Sequence, residues 1–225
     1  IEKRQWPTRV VEKAPIWTSV DLRDGNQSLP IPMNPEKKLQ YFRMLCEIGF
    51  KEIEVGFPSA SQDDFDFVRT LIENNLIPDD VCISVLTQAR KHLIDRTVES
   101  LKGAKQAIIH CYVATSDLHG RFVFNMDHAK VLEMAINGTQ MVKDAIAEAK
   151  LDFPVRYEFS PEEFTDSDLD FVVELCARVK ECWGEVKDKK DLYTYFELGK
   201  LEAICENYDK AREYFKISTS KNNTI

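Results

Sequence analysis

Ile16-Trp17-Thr18-Ser19-Val20-Asp21-Leu22-Arg23-Asp24-Gly25-Asn26-Gln27 runs from a short apolar stretch into an arginine, a carboxylate and a glycine turn. Ile16–Val20 reads as a β-strand and Asp24-Gly25 as the turn that follows it. The same pattern then repeats. Pro35 sits just inside a helix start, and Leu39, Phe42, Leu45 and Ile48 carry helical spacing until Gly49 stops it. Strands are expected at Lys51–Gly56, Cys82–Leu86, Ala107–Val113 and Val155–Phe159. Helices are expected around Phe65–Ile72, Leu93–Leu101, Asp127–Ala149 and Asp168–Trp183.

Five β-α units in succession predict an α/β fold with a parallel sheet, covered enough for its strands to read as apolar runs. A doubly wound sheet and a (β/α)8 barrel share this order of elements. The polar residues choose between them. Arg23-Asp24, Glu54, Thr87-Gln88, His110 with Thr115, and Ser160 to Glu162 fall in or just after successive strands. Polar groups from many strands gathered at their C-terminal ends are barrel behaviour. A doubly wound sheet concentrates its site at one switch point, often on a G-x-G-x-x-G loop, and this sequence has none.

Composition narrows the partners. The 225 residues carry 30 basic and 38 acidic side chains, a net charge of -8. No basic stripe speaks for nucleic acid. No apolar run is long enough to span a bilayer, and no secretory signal opens the chain. Cys46, Cys82, Cys111, Cys176, Cys182 and Cys205 include no Cys-x-x-Cys pair, so a zinc ribbon is not expected. Most lie in apolar segments, which predicts buried thiols in a reducing compartment.

Several segments together resemble 2-isopropylmalate synthase: Ala14-Pro15-Ile16-Trp17, Asp21 to Gln27, Glu52-Ile53-Glu54-Val55-Gly56-Phe57-Pro58-Ser59-Ala60-Ser61, Val85 to Arg90, and Phe159-Ser160-Pro161-Glu162. That family belongs to metal-dependent acyltransferases and lyases built on a (β/α)8, or TIM, barrel. The resemblance covers about residues 4 to 186. It implies a Claisen-type condensation of acetyl-CoA with 2-oxoisovalerate, on the route to leucine. Such a reaction uses a divalent metal (Mg, Mn or Zn) to polarise the ketone, and a cation at the developing oxyanion. On the family pattern Asp24 would bind the metal, and Arg23 and Glu162 would be catalytic. Gln27, Glu54, His110 and Ser160 would bind the 2-oxo acid. Homocitrate and citramalate synthases share the Arg-Asp-Gly turn and stay open as relatives. Family members occur in the cytoplasm, the expected location, and also in mitochondria and plastids.

The family completes its metal site with two histidines two residues apart. His92, His110, His119 and His128 show no such pair. The resemblance ends near Val186, before a sixth strand, so residues 1–186 are expected to form a partial barrel of about five β-α units. Such a truncated sheet has open edges. The expectation is a chain with little activity alone, prone to self-association or to pairing with a full-length synthase. A rival expectation is a barrel remnant serving as a non-catalytic binding module. Residues 187–225 differ in character. Tyr195, Leu198, Gly199, Tyr208, Ala211 and Tyr214 follow the spacing of one tetratricopeptide helical hairpin. A single hairpin cannot bury its own apolar face, so it reads as a docking pair, as part of something longer, or as a chimeric join.

Overall fold

In the computed structural model, which describes residues 14–184, five strands form one parallel sheet in the order β1-β2-β3-β4-β5. They are β1 (Thr18–Ser19), β2 (Glu52–Gly56), β3 (Cys82–Gln88), β4 (Ala107–Ala114) and β5 (Val155–Glu162). Five longer helices alternate with and follow them: α1 (Pro35–Ile48), α2 (Gln62–Glu73), α3 (Lys91–Ser100), α4 (His128–Glu148) and α5 (Leu169–Trp183). Neighbours in sequence are neighbours in the sheet, and every pairing is parallel. Right-handed crossovers in that order put all helices on one face. This is the order of a barrel arc, with no reversal point, and the partial (β/α)8 expectation holds for residues 14–184. The proposed hairpin of 187–225 lies outside the described residues.

Sequence chemistry sets the element ends. Asn34 caps α1 by accepting from Lys37 N at 2.9 Å, Pro35 opens the helix, and Gly49 ends it at φ 108°. Ser61, Asp127 and Asp168 accept from the N–H groups of Asp64, Lys130 and Phe171 in the same way.

The period of two along each strand divides the sheet into two faces. Ile53, Val55, Ile83, Val85, Ala107 and Ile109 pack against Phe42, Leu45, Phe67, Leu71, Ile94 and Val142 from the helices. A second cluster around Val113, Val131, Ala135, Val172 and Leu175 joins α4 and α5 to the β4 end. The opposite face carries Glu52, Glu54, Ser84, Gln88, His110, Tyr112, Arg156, Glu158, Ser160 and Glu162. That face is concave. Arg156 of β5 reaches Glu52 of β2 at 2.6 Å. In a flat sheet those strands would stand about 14 Å apart.

Two differences from the sequence reading bear on the site. The first strand is two residues, not five. Val20's carbonyl turns away from the ladder to accept from the N–H groups of Arg23, Asp24 and Gly25, which starts a tight π-type turn at once. The fifth strand continues to Glu162 because β4 keeps pairing with it, through Tyr112↔Ser160 and Ala114↔Glu162. Ser160 and Glu162 are therefore strand residues rather than residues that follow the strand, and Asp168 caps α5.

Gly138 marks the closest approach of α4 to the sheet. A Cβ there would lie 2.5 Å from the Cβ and 3.2 Å from the Cα of Ala89, at the β3–α3 junction. Neither contact is a flexible side-chain end. Gly138→Ala is expected to cost about 1–3 kcal/mol by overpacking, read as a lower urea midpoint. An unchanged midpoint would show that the junction gives way freely.

Candidate active site

The turn after β1 lifts Arg23 over the edge of β2. Its Nε donates to Glu54 Oε1 at 2.5 Å, and its Nη1 donates to Asp24 Oδ1 at 2.8 Å. Glu54 sits inside β2 with its side chain 2 % exposed. Its second oxygen meets His110 Nδ1 of β4 at 2.6 Å. His110 Nε2 in turn meets Ser160 Oγ of β5 at 2.6 Å. One line of polar contacts, Asp24–Arg23–Glu54–His110–Ser160, thus crosses the concave face from the first strand's turn to the fifth strand. The line exists because Glu54, His110 and Ser160 share one phase of their strands, the turn after β1 delivers Arg23 and Asp24 to the same face, and the sheet is bent toward it.

Glu54 is the centre of charge. Burial works to raise its pKa, but the bond and charge of His110 and the guanidinium of Arg23 outweigh that and hold its carboxyl below the usual range. Glu54 is therefore an anion at neutral pH and accepts from both sides. Its position fixes the tautomer of His110, since Nδ1 must carry the hydrogen it donates.

Beside this line stands Tyr112, one step up the same face. Gln88 Nε2 donates to its hydroxyl at 2.6 Å, and its ring meets Phe57 edge-on with centroids 6.3 Å apart. Burial raises its pKa, Gln88's bond lowers it, the carboxylate of Glu162 raises it, and Arg23 and Arg90 lower it; the net direction is up. Tyr112 thus keeps its O–H. The face combines a cation, a buried anion, an imidazole, a serine hydroxyl and a phenol. Such a set suits a small ligand bearing carbonyl and carboxylate oxygens.

Of the residues singled out from sequence, Arg23, Asp24, Glu54, His110 and Ser160 are brought together. Glu162 is exposed at the C-terminal end of β5, near Tyr112 in charge terms. Gln27 is exposed in the turn beyond Gly25. Tyr112 and Arg156 escaped the sequence reading. Alternation along Ile108-Ile109-His110-Cys111-Tyr112 would have put Tyr112 on His110's face.

The described residues do not by themselves complete a site for a divalent metal. Asp24 is paired with Arg23, and its side chain is 65 % exposed. Among the described residues no group of three or more His, Cys, Asp or Glu side chains is placed to hold an ion. One carboxylate is too few ligands for a tight site. Thiol chemistry is also poorly served: burial pushes the Cys111 and Cys176 thiols up to about 11. Among the described residues no helix is long and apolar enough to cross a membrane.

Comparison with known proteins agrees with this fold. A family model described as HMGL-like matches residues 14–187. The 2-isopropylmalate synthase of Clostridium acetobutylicum is 52 % identical over 195 residues, covering 84 % of this chain and 34 % of that protein. The 2-isopropylmalate synthase of Kineococcus radiotolerans is 57 % identical over 176 residues, covering 78 % of this chain and 30 % of that protein. The chain spans about a third of the length of these curated relatives. Among solved structures, the HMG-CoA lyase of Bacillus subtilis superimposes with a TM-score of 0.55 at 18 % identity, over 84 % of this chain and 63 % of that one. At that identity the likeness speaks for the fold.

Proposed function

The chain belongs to the HMGL-like family, and on that premise we propose that it carries the oxo-acid side of an acyl-condensing site. The reaction is the Claisen-type condensation of acetyl-CoA with 2-oxoisovalerate to 2-isopropylmalate. The observation that carries this reading is the unbroken line Arg23–Glu54–His110–Ser160 on the concave face.

In this reading Arg23 is the cation at the reacting ketone. Attack on that ketone places negative charge on its oxygen, and a fixed guanidinium favours the charged state. Glu54 holds Arg23 and His110 in place from beneath. His110 and Ser160 receive the acid's oxygens, and Tyr112 with Phe57 borders its alkyl side. Gln27, exposed beyond Gly25, helps to hold the acid, and Glu162, exposed at the end of β5, is the group available for proton transfer. Asp24 stands ready as one carboxylate ligand of a divalent cation, whose set the described residues do not complete. The similarity to 2-isopropylmalate synthases favours 2-oxoisovalerate over the acids used by homocitrate or citramalate synthases. Among the described residues β1 and β5 are the outer strands of the sheet, and there a second copy or a full-length synthase would add strands.

The test is release of CoA thiol from acetyl-CoA with Mg²⁺ and a series of 2-oxo acids. Release is expected to be slow, to require a 2-oxo acid, and to be fastest with 2-oxoisovalerate. Robust turnover lost on Arg23→Ala would show that these residues need no further metal ligands. Release that ignores the identity of the oxo acid would contradict the substrate assignment.

A further inference from the structure

Lys38 is a buried lysine with no part in the line of polar contacts. It lies in α1 with its side chain 5 % exposed, and a lysine so placed needs a partner. Its Nζ meets Asp64 Oδ1 of α2 at 2.5 Å and stands 5.1 Å from the centroid of the Phe67 ring. The other oxygen of Asp64 accepts from the backbone N–H of Phe57 at 2.7 Å. Phe57 is the first residue past β2, and the sequence around it makes room for that bond. Glu54 pairs with Ser84 but Gly56 with Val85, so one extra residue enters β2 as a bulge just before Phe57. Gly56 lets the carboxylate come close, since a Cβ there would lie 3.1 Å from Asp64 Cγ and Oδ2.

We infer that Lys38 and Asp64 are positioning residues: together they anchor Phe57 as a wall of the concave site and so favour a ligand with a branched alkyl group. Both backbone polar groups of Phe57 are taken, the N–H by Asp64 and the C=O by the N–H of Ala60 at 2.9 Å. Pro58 follows and keeps Phe57 out of the helical region. The ring is left to turn only about its own side-chain bonds. Because β3 lies between β2 and β4, that ring reaches over the concave face to meet Tyr112 edge-on, with centroids 6.3 Å apart. One carboxylate serves both contacts, which is why the ion pair matters. With Lys38 on Oδ1 the plane of the carboxylate is fixed, and Oδ2 stays aimed at Phe57.

Removal of the carboxylate frees the Phe57 N–H and lets the wall move. An acid with an isopropyl group then loses its contact with the ring, whereas an acid with only a methyl group has little contact to lose. That consequence rests on the oxo-acid reading of this face; the anchor does not. An ion pair that only joined α1 to α2 would act through stability and treat every acid alike.

The experiment uses the isotope-labelled full chain. In the wild type the Phe57 amide is expected to be protected from hydrogen exchange, and its ring to show nuclear Overhauser contacts with the Tyr112 ring. In Asp64→Ala the Phe57 amide is expected to exchange about tenfold to a hundredfold faster relative to the Ile83 amide inside the sheet, as for the loss of a hydrogen bond to a charged group. The Kd for 2-oxoisovalerate should then rise about tenfold, the worth of the two carbons that separate its side chain from that of pyruvate, while the Kd for pyruvate changes by less than about twofold. Asp64→Asn combined with Lys38→Met keeps an amide oxygen for Phe57 and leaves no ammonium without a counter-charge; it should recover most of the preference for the branched acid. An unprotected Phe57 amide in the wild type, or an equal loss of both acids in Asp64→Ala, would overturn the proposal. The wild-type measurement stands even if a variant fails to fold. A wild type that takes up neither acid, with Phe57 loosened in Asp64→Ala, would uphold the anchor and count against the oxo-acid reading alone.

Discussion

Glu54→Gln is expected to lower the stability of the fold by about 3 kcal/mol, the low end of the cost of breaking a buried ion pair from one side. Glutamine has the shape of glutamate but not its bonding. Glu54 accepts from Arg23 Nε with one oxygen and from His110 Nδ1 with the other. An amide turns one of those acceptors into a donor, so either Arg23 or His110 meets N–H with N–H. The side chains of Arg23 and His110 are 14 % and 10 % exposed, so water replaces little of what is lost. Asp24 still pairs with Arg23, which keeps the cost from being higher. The pH dependence has a definite sign. Burial tends to raise Glu54's pKa, but His110 and Arg23 hold it below the ordinary 4.5 in the folded state. Its contribution is therefore full above about that value and is lost as pH falls through the lower, folded one. Urea unfolding of the two proteins should show a gap that is constant near neutrality and closes in acid. Parallel curves at every pH would mean that Glu54 is not the anion described.

Much of this was legible in the sequence, for physical reasons. Burial on the helix side demands unbroken apolar phases, and that made β2, β3 and β4 readable from Ile53, Ile83 and Ile109. Pro35 and Gly49 fixed α1 to within two residues. Polar groups at successive strand ends pointed to a barrel, and the sheet order agrees. What stayed hidden depends on partners far away in the chain. The early end of β1 follows from Val20's carbonyl being taken by three N–H groups in the turn. The length of β5 follows from how far β4 goes on pairing with it. Glu54 looked like a strand-end ligand. Only the bend of the sheet shows it buried between Arg23 and His110.

Arg23 is the residue on which the functional reading turns. It divides its guanidinium between Glu54 and Asp24, through Nε and Nη1. That fork fixes the cation's plane over the concave face and leaves its remaining N–H groups for a ligand. Lysine keeps the charge but has a single ammonium and no fixed plane. Arg23→Lys should therefore lose much of the affinity for a 2-oxo acid, and Arg23→Ala should lose more. A hydrogen bond to a charged group is worth about 1.5–3 kcal/mol, so the alanine variant should bind about tenfold to a hundredfold more weakly. Loss of the fold would be a trivial route to the same result, so the variants are compared at a pH and temperature where their amide spectra show native dispersion.

The most direct measurement is a titration of 2-oxoisovalerate into the isotope-labelled chain, read at the His110 ring and at the Ser160 and Tyr112 amides. The account predicts saturable shifts at these positions in the wild type, weaker with 2-oxo acids that lack the branched alkyl group, and nearly abolished in Arg23→Ala. Shifts that map to the helical face, or that persist undiminished in Arg23→Ala, would contradict it.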